Sequence, residues 1–146
     1  RAADEKLHQE ILEKLIAENT LEIPKAMVTQ QENYLKEDLK RNLAQQGFNE
    51  QMTEEYFTKW AGDVTSKAEF QVKSGLILEE LGKKYSVEST EADLEAKVDE
   101  MVKSSGMEAD KIREYYMSNE QMKKNMMYAI KEEKTFAALK KDLKIN

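Results

Sequence analysis

Apolar side chains recur along this chain at intervals of three and four, the period of an amphipathic helix. Leu7, Ile11, Leu12, Leu15 and Ile16 form one stripe of a first helix over about Ala3 to Glu18, which Asn19 ends. Ile23 is pushed toward extended geometry by Pro24, and Pro24 suits the first turn of a second helix, where its missing N–H costs nothing. That helix runs to about Gln46, with Val28, Leu35, Leu39 and Leu43 on one face and Met27, Gln31 and Tyr34 beside it. Gly47 follows as a stop that tolerates the left-handed conformation.

A long third helix is predicted from about Thr53 to Lys84. Phe57, Ala61, Val64, Ala68, Gln71, Gly75, Leu78 and Gly82 alternate spacings of four and three, a heptad seam. One half of the seam is small, which lets a neighbouring helix approach closely. Leu76, Ile77 and Leu81 widen the apolar arc. Gly62, Gly75 and Gly82 weaken the helix, each by roughly 1 kcal/mol relative to alanine, and permit a bend. Thr90-Glu91-Ala92-Asp93 resembles a capping box and opens a fourth helix, striped by Leu94, Val98, Met101 and Val102 and ended by Ser104-Ser105-Gly106. A short fifth helix covers about Glu108 to Met117, with Ile112, Tyr115 and Tyr116 apolar. Asn119 caps a sixth, to about Leu143, whose main face carries Met122, Met126, Ala129, Ile130 and Ala137. Acids crowd the helix starts and lysines the ends, as the helix dipole favours.

The pattern is all-α, and composition narrows it further. With one proline and five glycines among 146 residues, the chain lacks the turn formers that a sandwich or barrel needs. No apolar run approaches the ~18 residues of a membrane span. No tract divides the chain, so residues 1–146 read as one helical domain. It begins at Arg1 with no signal-peptide pattern, which reads as an excised fragment. A net charge of −6 and only three arginines (Arg1, Arg41 and Arg113) argue against nucleic-acid binding. The slight excess of lysine in the last sixteen residues reads as a solvated helix face.

The residues for catalysis are missing. The absence of cysteine excludes disulfides, thiolate metal sites and a cysteine nucleophile. His8 is the sole histidine; Glu5-x-x-His8 matches half of a di-iron bundle pattern that needs a second histidine. Glycine-rich phosphate loops and nucleophile elbows are absent. Adjacent acids such as Glu79-Glu80, Asp99-Glu100 and Glu132-Glu133 point to different helix faces. No enzyme, metal or cofactor is expected.

Methionine is the more unusual feature. Of the eight, Met117, Met122, Met126 and Met127 fall within eleven residues, beside Tyr115, Tyr116 and Tyr128. Methionine is flexible and polarisable and serves surfaces that accept varied partners, although core packing is its ordinary use. Successive helical residues point about 100° apart, so Met126 and Met127 are not expected to face one core; at least one should turn toward solvent or a partner.

The order and spacing of several stretches resemble the C-terminal domain of bacterial trigger factor, a ribosome-associated chaperone. Ile11-Leu12-Glu13-Lys14-Leu15 through Asn19, then Leu21-Glu22-Ile23-Pro24 and Met27-Val28, is the most telling. Val72-Lys73-Ser74-Gly75-Leu76-Ile77-Leu78-Glu79-Glu80-Leu81 is the second. Val98-Asp99-Glu100-Met101, Tyr115-Tyr116, Met122-Lys123-Lys124-Asn125-Met126 and Ile130-Lys131-Glu132-Glu133-Lys134 follow in order. The resemblance covers nearly the whole chain. It implies an elongated helical body with two protruding arms around a crevice that holds unfolded or nascent polypeptide without ATP, in the cytoplasm. The ribosome-docking motif Gly-Phe-Arg-x-Gly-Lys-x-Pro and a prolyl-isomerase domain are not in this sequence, so neither ribosome contact nor isomerisation is expected of it. The tail after Leu143 is short for the family.

Client contact is expected at Met27, Tyr34, Tyr56, Tyr115, Met117, Met122 and Met126, apolar residues beside the main stripes or in thinly covered helices. The alternative is a structural or self-associating module. In the family another helix packs on this body, and its absence here is expected to uncover an apolar groove that a second copy fills.

Overall fold

The structure, a computed structural model, describes residues 2–106 and 108–144. Six helices account for most of them, and no strand occurs among the described residues. They are α1 (Ala2–Glu18), α2 (Lys25–Gln45), α3 (Glu50–Lys84), α4 (Glu91–Ser105), α5 (Ala109–Ser118) and α6 (Glu120–Asp142). The fold class is all-α, as the apolar periodicity requires.

Local chemistry explains most boundaries. Asn19 ends α1 by donating its side-chain amide to the Leu15 carbonyl at 2.8 Å. Pro24 stands one position outside α2: its ψ of 130° is extended, and its carbonyl accepts from Met27 at 3.0 Å. The proline is therefore the N-cap of α2 rather than its first helical residue. At the other end of α2, Gly47 has φ +87°, its N–H donates to Ala44, and the N–H of Phe48 reaches back to Leu43 at 3.0 Å. This pair of bonds is a Schellman motif. The same motif ends α3, with Ser86 at φ +51° where glycine is the usual choice, and Val87 N–H bonded to Gly82 at 2.8 Å.

Helix α3 begins at Glu50, three residues before the position that the apolar period suggests. Asn49 is the cause: its side-chain oxygen accepts the Met52 N–H at 2.9 Å and its carbonyl accepts the Thr53 N–H. The break in α3 lies at Trp60 (φ −112°, ψ 15°), two residues before Gly62. Thr90 and Asp93 form a complete capping box at the start of α4, with Asp taking the place of the preferred Glu. Gly106, at φ +66°, closes α4, and the Asn119 side chain accepts from Gln121 and Met122 to start α6.

The chain divides into two compact units, Arg1–Ile77 and Leu78–Asn146, with α3 contributing to both. In the first, Ile11, Leu12, Leu43, Val64, Ala68 and Val72 are buried, and Gln31 of α2 donates to Gln71 of α3 at 2.7 Å. The heptad seam is thus covered from Val64 onward, while Ala61 stays exposed.

In the second unit α4, α5 and α6 pack on one another around Leu94, Val98, Ile112 and Ile130. Val102, Tyr116, Met126 and Met127 pack against this cluster. Both methionines therefore reach the same core, contrary to the expectation from their 100° separation. A long unbranched side chain spans that angle when helices lie on two sides of it. The face of α6 also differs from the sequence reading: Ala129 and Ala137 are exposed, and Thr135, Phe136 and Leu139 are buried beside Ile130. Gly82 lies against this part of α6, where a Cβ would stand 3.4 Å from Thr135 Oγ1. The small residue in the seam does permit close approach.

Candidate functional site

Among the described residues no group of three or more histidine, cysteine, aspartate or glutamate side chains could hold a metal ion, and no helix is long and apolar enough to cross a membrane. What the surface offers is large apolar side chains left in contact with water. In the first unit these are Met27 and Tyr34 on α2 and Met52 and Trp60 on α3; in the second, Tyr115 and Met117 on α5, Tyr128 on α6, and Leu143.

The richest group surrounds the start of α3. The half-buried Tyr56 ring meets Phe48 edge-on at 6.4 Å, Phe57 edge-on at 6.5 Å and Trp60 at 6.2 Å with a 38° tilt. Four aromatic rings thus share one cluster, with Lys59 Nζ 5.5 Å from the centre of the Trp60 ring. Trp60 lies at the backbone break. The non-helical residue interrupts the regular turn where the ring emerges, and the indole remains 41% exposed.

In the second unit two shallow cavities adjoin exposed apolar residues. One, of about 230 Å³, lies between α4 and α5 and is lined by Glu95, Val98, Asp99, Arg113 and Met117. Arg113 bridges it to Asp99 at 2.5 Å. Tyr115 packs edge-on to Tyr116 at 5.1 Å; Tyr116 turns inward and Tyr115 outward. The other cavity, also about 230 Å³, is lined by Leu78, Glu79, Tyr128, Lys131, Glu132 and Thr135. There burial pushes the Glu132 carboxyl above its ordinary range, although a hydrogen bond from Tyr128 opposes the rise. Burial, with the nearby Glu132 charge, also raises the Tyr128 phenol.

Over residues 1–141 the chain matches the family model for the bacterial trigger factor protein C-terminus. The chain belongs to that family. It is 31% identical over 135 residues to a trigger factor of Bdellovibrio bacteriovorus, which covers 92% of this chain and 31% of that protein. It is 30% identical over 140 residues to a trigger factor of Geotalea uraniireducens, covering 96% of this chain and 32% of that protein. A trigger factor of Geotalea daltonii is 29% identical over 133 residues, 91% of this chain. The chain spans about a third of the length of these relatives. No solved structure matches it.

Within this trigger factor C-terminal region, the seven residues named from sequence fall into two classes. Met27, Tyr34, Tyr115 and Met117 are exposed. Tyr56, Met122 and Met126 are half-buried, Tyr56 in the aromatic cluster and Met126 against the core of the second unit. Trp60, Met52 and Tyr128 are exposed apolar residues outside those seven, Tyr128 being the tyrosine noted beside the methionine cluster. Trp60 stands between the seam residues Phe57, Ala61 and Val64, so its position off the stripe was the available signal.

Proposed function

We propose that this trigger factor C-terminal region binds unfolded or nascent polypeptides without ATP, as part of a bacterial cytoplasmic chaperone, and that it works by binding rather than by catalysis. The observation that carries the reading is the set of exposed tyrosine, methionine and tryptophan side chains, present in both units of a chain that is 36% charged. Apolar contact is worth about 25 cal/mol per Å², so a patch of roughly 100 Å² contributes about 2.5 kcal/mol. One such contact alone dissociates quickly. Several on one chain raise avidity while each stays reversible, and none requires a fixed client sequence. Methionine and tyrosine suit this use because one adapts its shape and the other presents a rigid amphipathic ring. Contact is assigned to Met27, Tyr34, Tyr115 and Met117, with Trp60 added on exposure; the half-buried Tyr56, Met122 and Met126 are assigned a secondary part.

The test is suppression of aggregation. An unfolded client protein diluted with the chain should scatter less light than without it. The triple variant Tyr34→Ser, Trp60→Ser, Tyr115→Ser should lose most of the effect while keeping its helical circular dichroism. A wild-type chain that leaves aggregation unchanged, and shows no NMR shifts with an unfolded client, overturns the reading. A structural or self-associating module would instead show concentration-dependent sedimentation with no client effect.

A further inference from the structure

We propose that α5 is a lid over the apolar cluster of the second unit, opening as a unit while α4 and α6 stay joined. Three sets of observations support it. First, α5 packs on both α4 and α6 but buries little of its own surface. It has ten residues, below the length at which an isolated helix holds itself in water. Ile112 is its one buried side chain, with Ala109 and Tyr116 half-buried. Its N-cap, Glu108, makes no side-chain capping bond, and the Asn119 side chain at its other end caps α6 instead.

Second, α4 and α6 are tied without it. Lys123 meets Glu91 at 2.5 Å, Lys134 meets Asp93 at 2.6 Å, and Lys97 meets Glu133 at 3.1 Å. The ion pair Arg113–Asp99 joins α5 to α4, and it is exposed on both sides. Third, the contact is incompletely filled. A shallow cavity of about 230 Å³ opens where α5 meets α4, with Val98 its one buried lining residue. The segment is bounded by Gly106, with a left-handed backbone, and by Asn119, a single extended residue before α6. Lifting α5 would uncover Leu94, Val98 and Ile130 with the flexible Met126 and Met127 beside them. That an apolar polypeptide segment uses this surface rests on the function proposed above; the opening itself does not.

Native-state hydrogen exchange on the whole chain, read by mass spectrometry in low denaturant, tests the lid. The α5 amides should exchange at least tenfold faster than the protected amides of α4 and α6, by an opening that precedes global unfolding. Exchange of all three helices together at every denaturant concentration would overturn the proposal. Arg113→Ala should speed α5 exchange about two- to fivefold and leave α4 and α6 unchanged, the range of an exposed ion pair. The chain has no cysteine, so Asp99→Cys with Arg113→Cys, joined by a short thiol crosslinker, should slow α5 to the rate of α4. An α5 that exchanges as fast after crosslinking frays in place and is no lid. If crosslinking slows exchange but leaves binding of an unfolded client unchanged, the lid stands and its use by clients is refuted.

Discussion

Lys134 of α6 donates to Asp93 Oδ2 at 2.6 Å and to the Glu88 carbonyl at 3.1 Å, pinning the first turn of α4. Asp93 also accepts the backbone N–H and the hydroxyl of Thr90, both at 2.8 Å. Lys134 first, then Thr90, holds its carboxyl down from an ordinary 3.8 to about 2. Because the folded state favours the ionised form, this stabilisation is complete well above 3.8 and disappears as pH falls toward 2. Lys134→Met should therefore unfold at a lower temperature than the wild type at pH 7. The gap should close as the pH approaches 2. A gap that stays constant across that range in thermal melts would mean that the lysine acts by packing.

The two Schellman motifs make opposite predictions. Gly47 has φ +87° with open space where a Cβ would go, so Gly47→Ala meets only backbone strain and should cost about 1 kcal/mol. Ser86 already bears that strain at φ +51°, and Ser86→Gly should recover up to about 1 kcal/mol. Urea unfolding of both variants checks the signs; a destabilised Ser86→Gly would contradict the assigned backbone.

Gly62 and Gly82 differ in surroundings within one helix. Nothing lies near a Cβ at Gly62, so Gly62→Ala should gain roughly 0.5–1 kcal/mol of helix propensity. At Gly82 a methyl group meets Thr135 and Lys131 at 3.4 and 3.5 Å, so Gly82→Ala is tolerated with a smaller gain, whereas Gly82→Leu should destabilise by about 1–3 kcal/mol through overpacking. Equal effects of leucine at the two positions would refute the close approach of α6.

Core and surface apolar residues should separate in a stability assay. Leu94 is fully buried, and Leu94→Ala should cost about 2–5 kcal/mol. Tyr34 is 63% exposed, and Tyr34→Ser should change stability by no more than about 0.5 kcal/mol while weakening client binding. A large loss of stability from the Tyr34 change would place that ring in packing rather than recognition.

How much of this was legible in the chain depends on the range of the interaction. The stripe of α1, the Thr90–Asp93 capping box, Asn119 as a cap and Gly47 as a stop are encoded within four or five residues, and each formed where the pattern placed it. Asn49 was equally local but was hidden because the apolar period resumes only later. The break at Trp60 was not placed by the glycines, since a glycine permits a bend without requiring one.

By itself, then, the sequence determined an all-helical chain of six elements, its family, and a surface dense in charge, because helix period, caps and composition act over short distances. Only the tertiary structure decided which side of each helix was covered. Phe136 and Leu139 turned inward while Ala129 and Ala137 stayed out, Met126 and Met127 shared one core, and Trp60 and Tyr128 kept their rings in water. A helix presents every face along its own axis, and burial is settled by the neighbours that other parts of the chain bring to it.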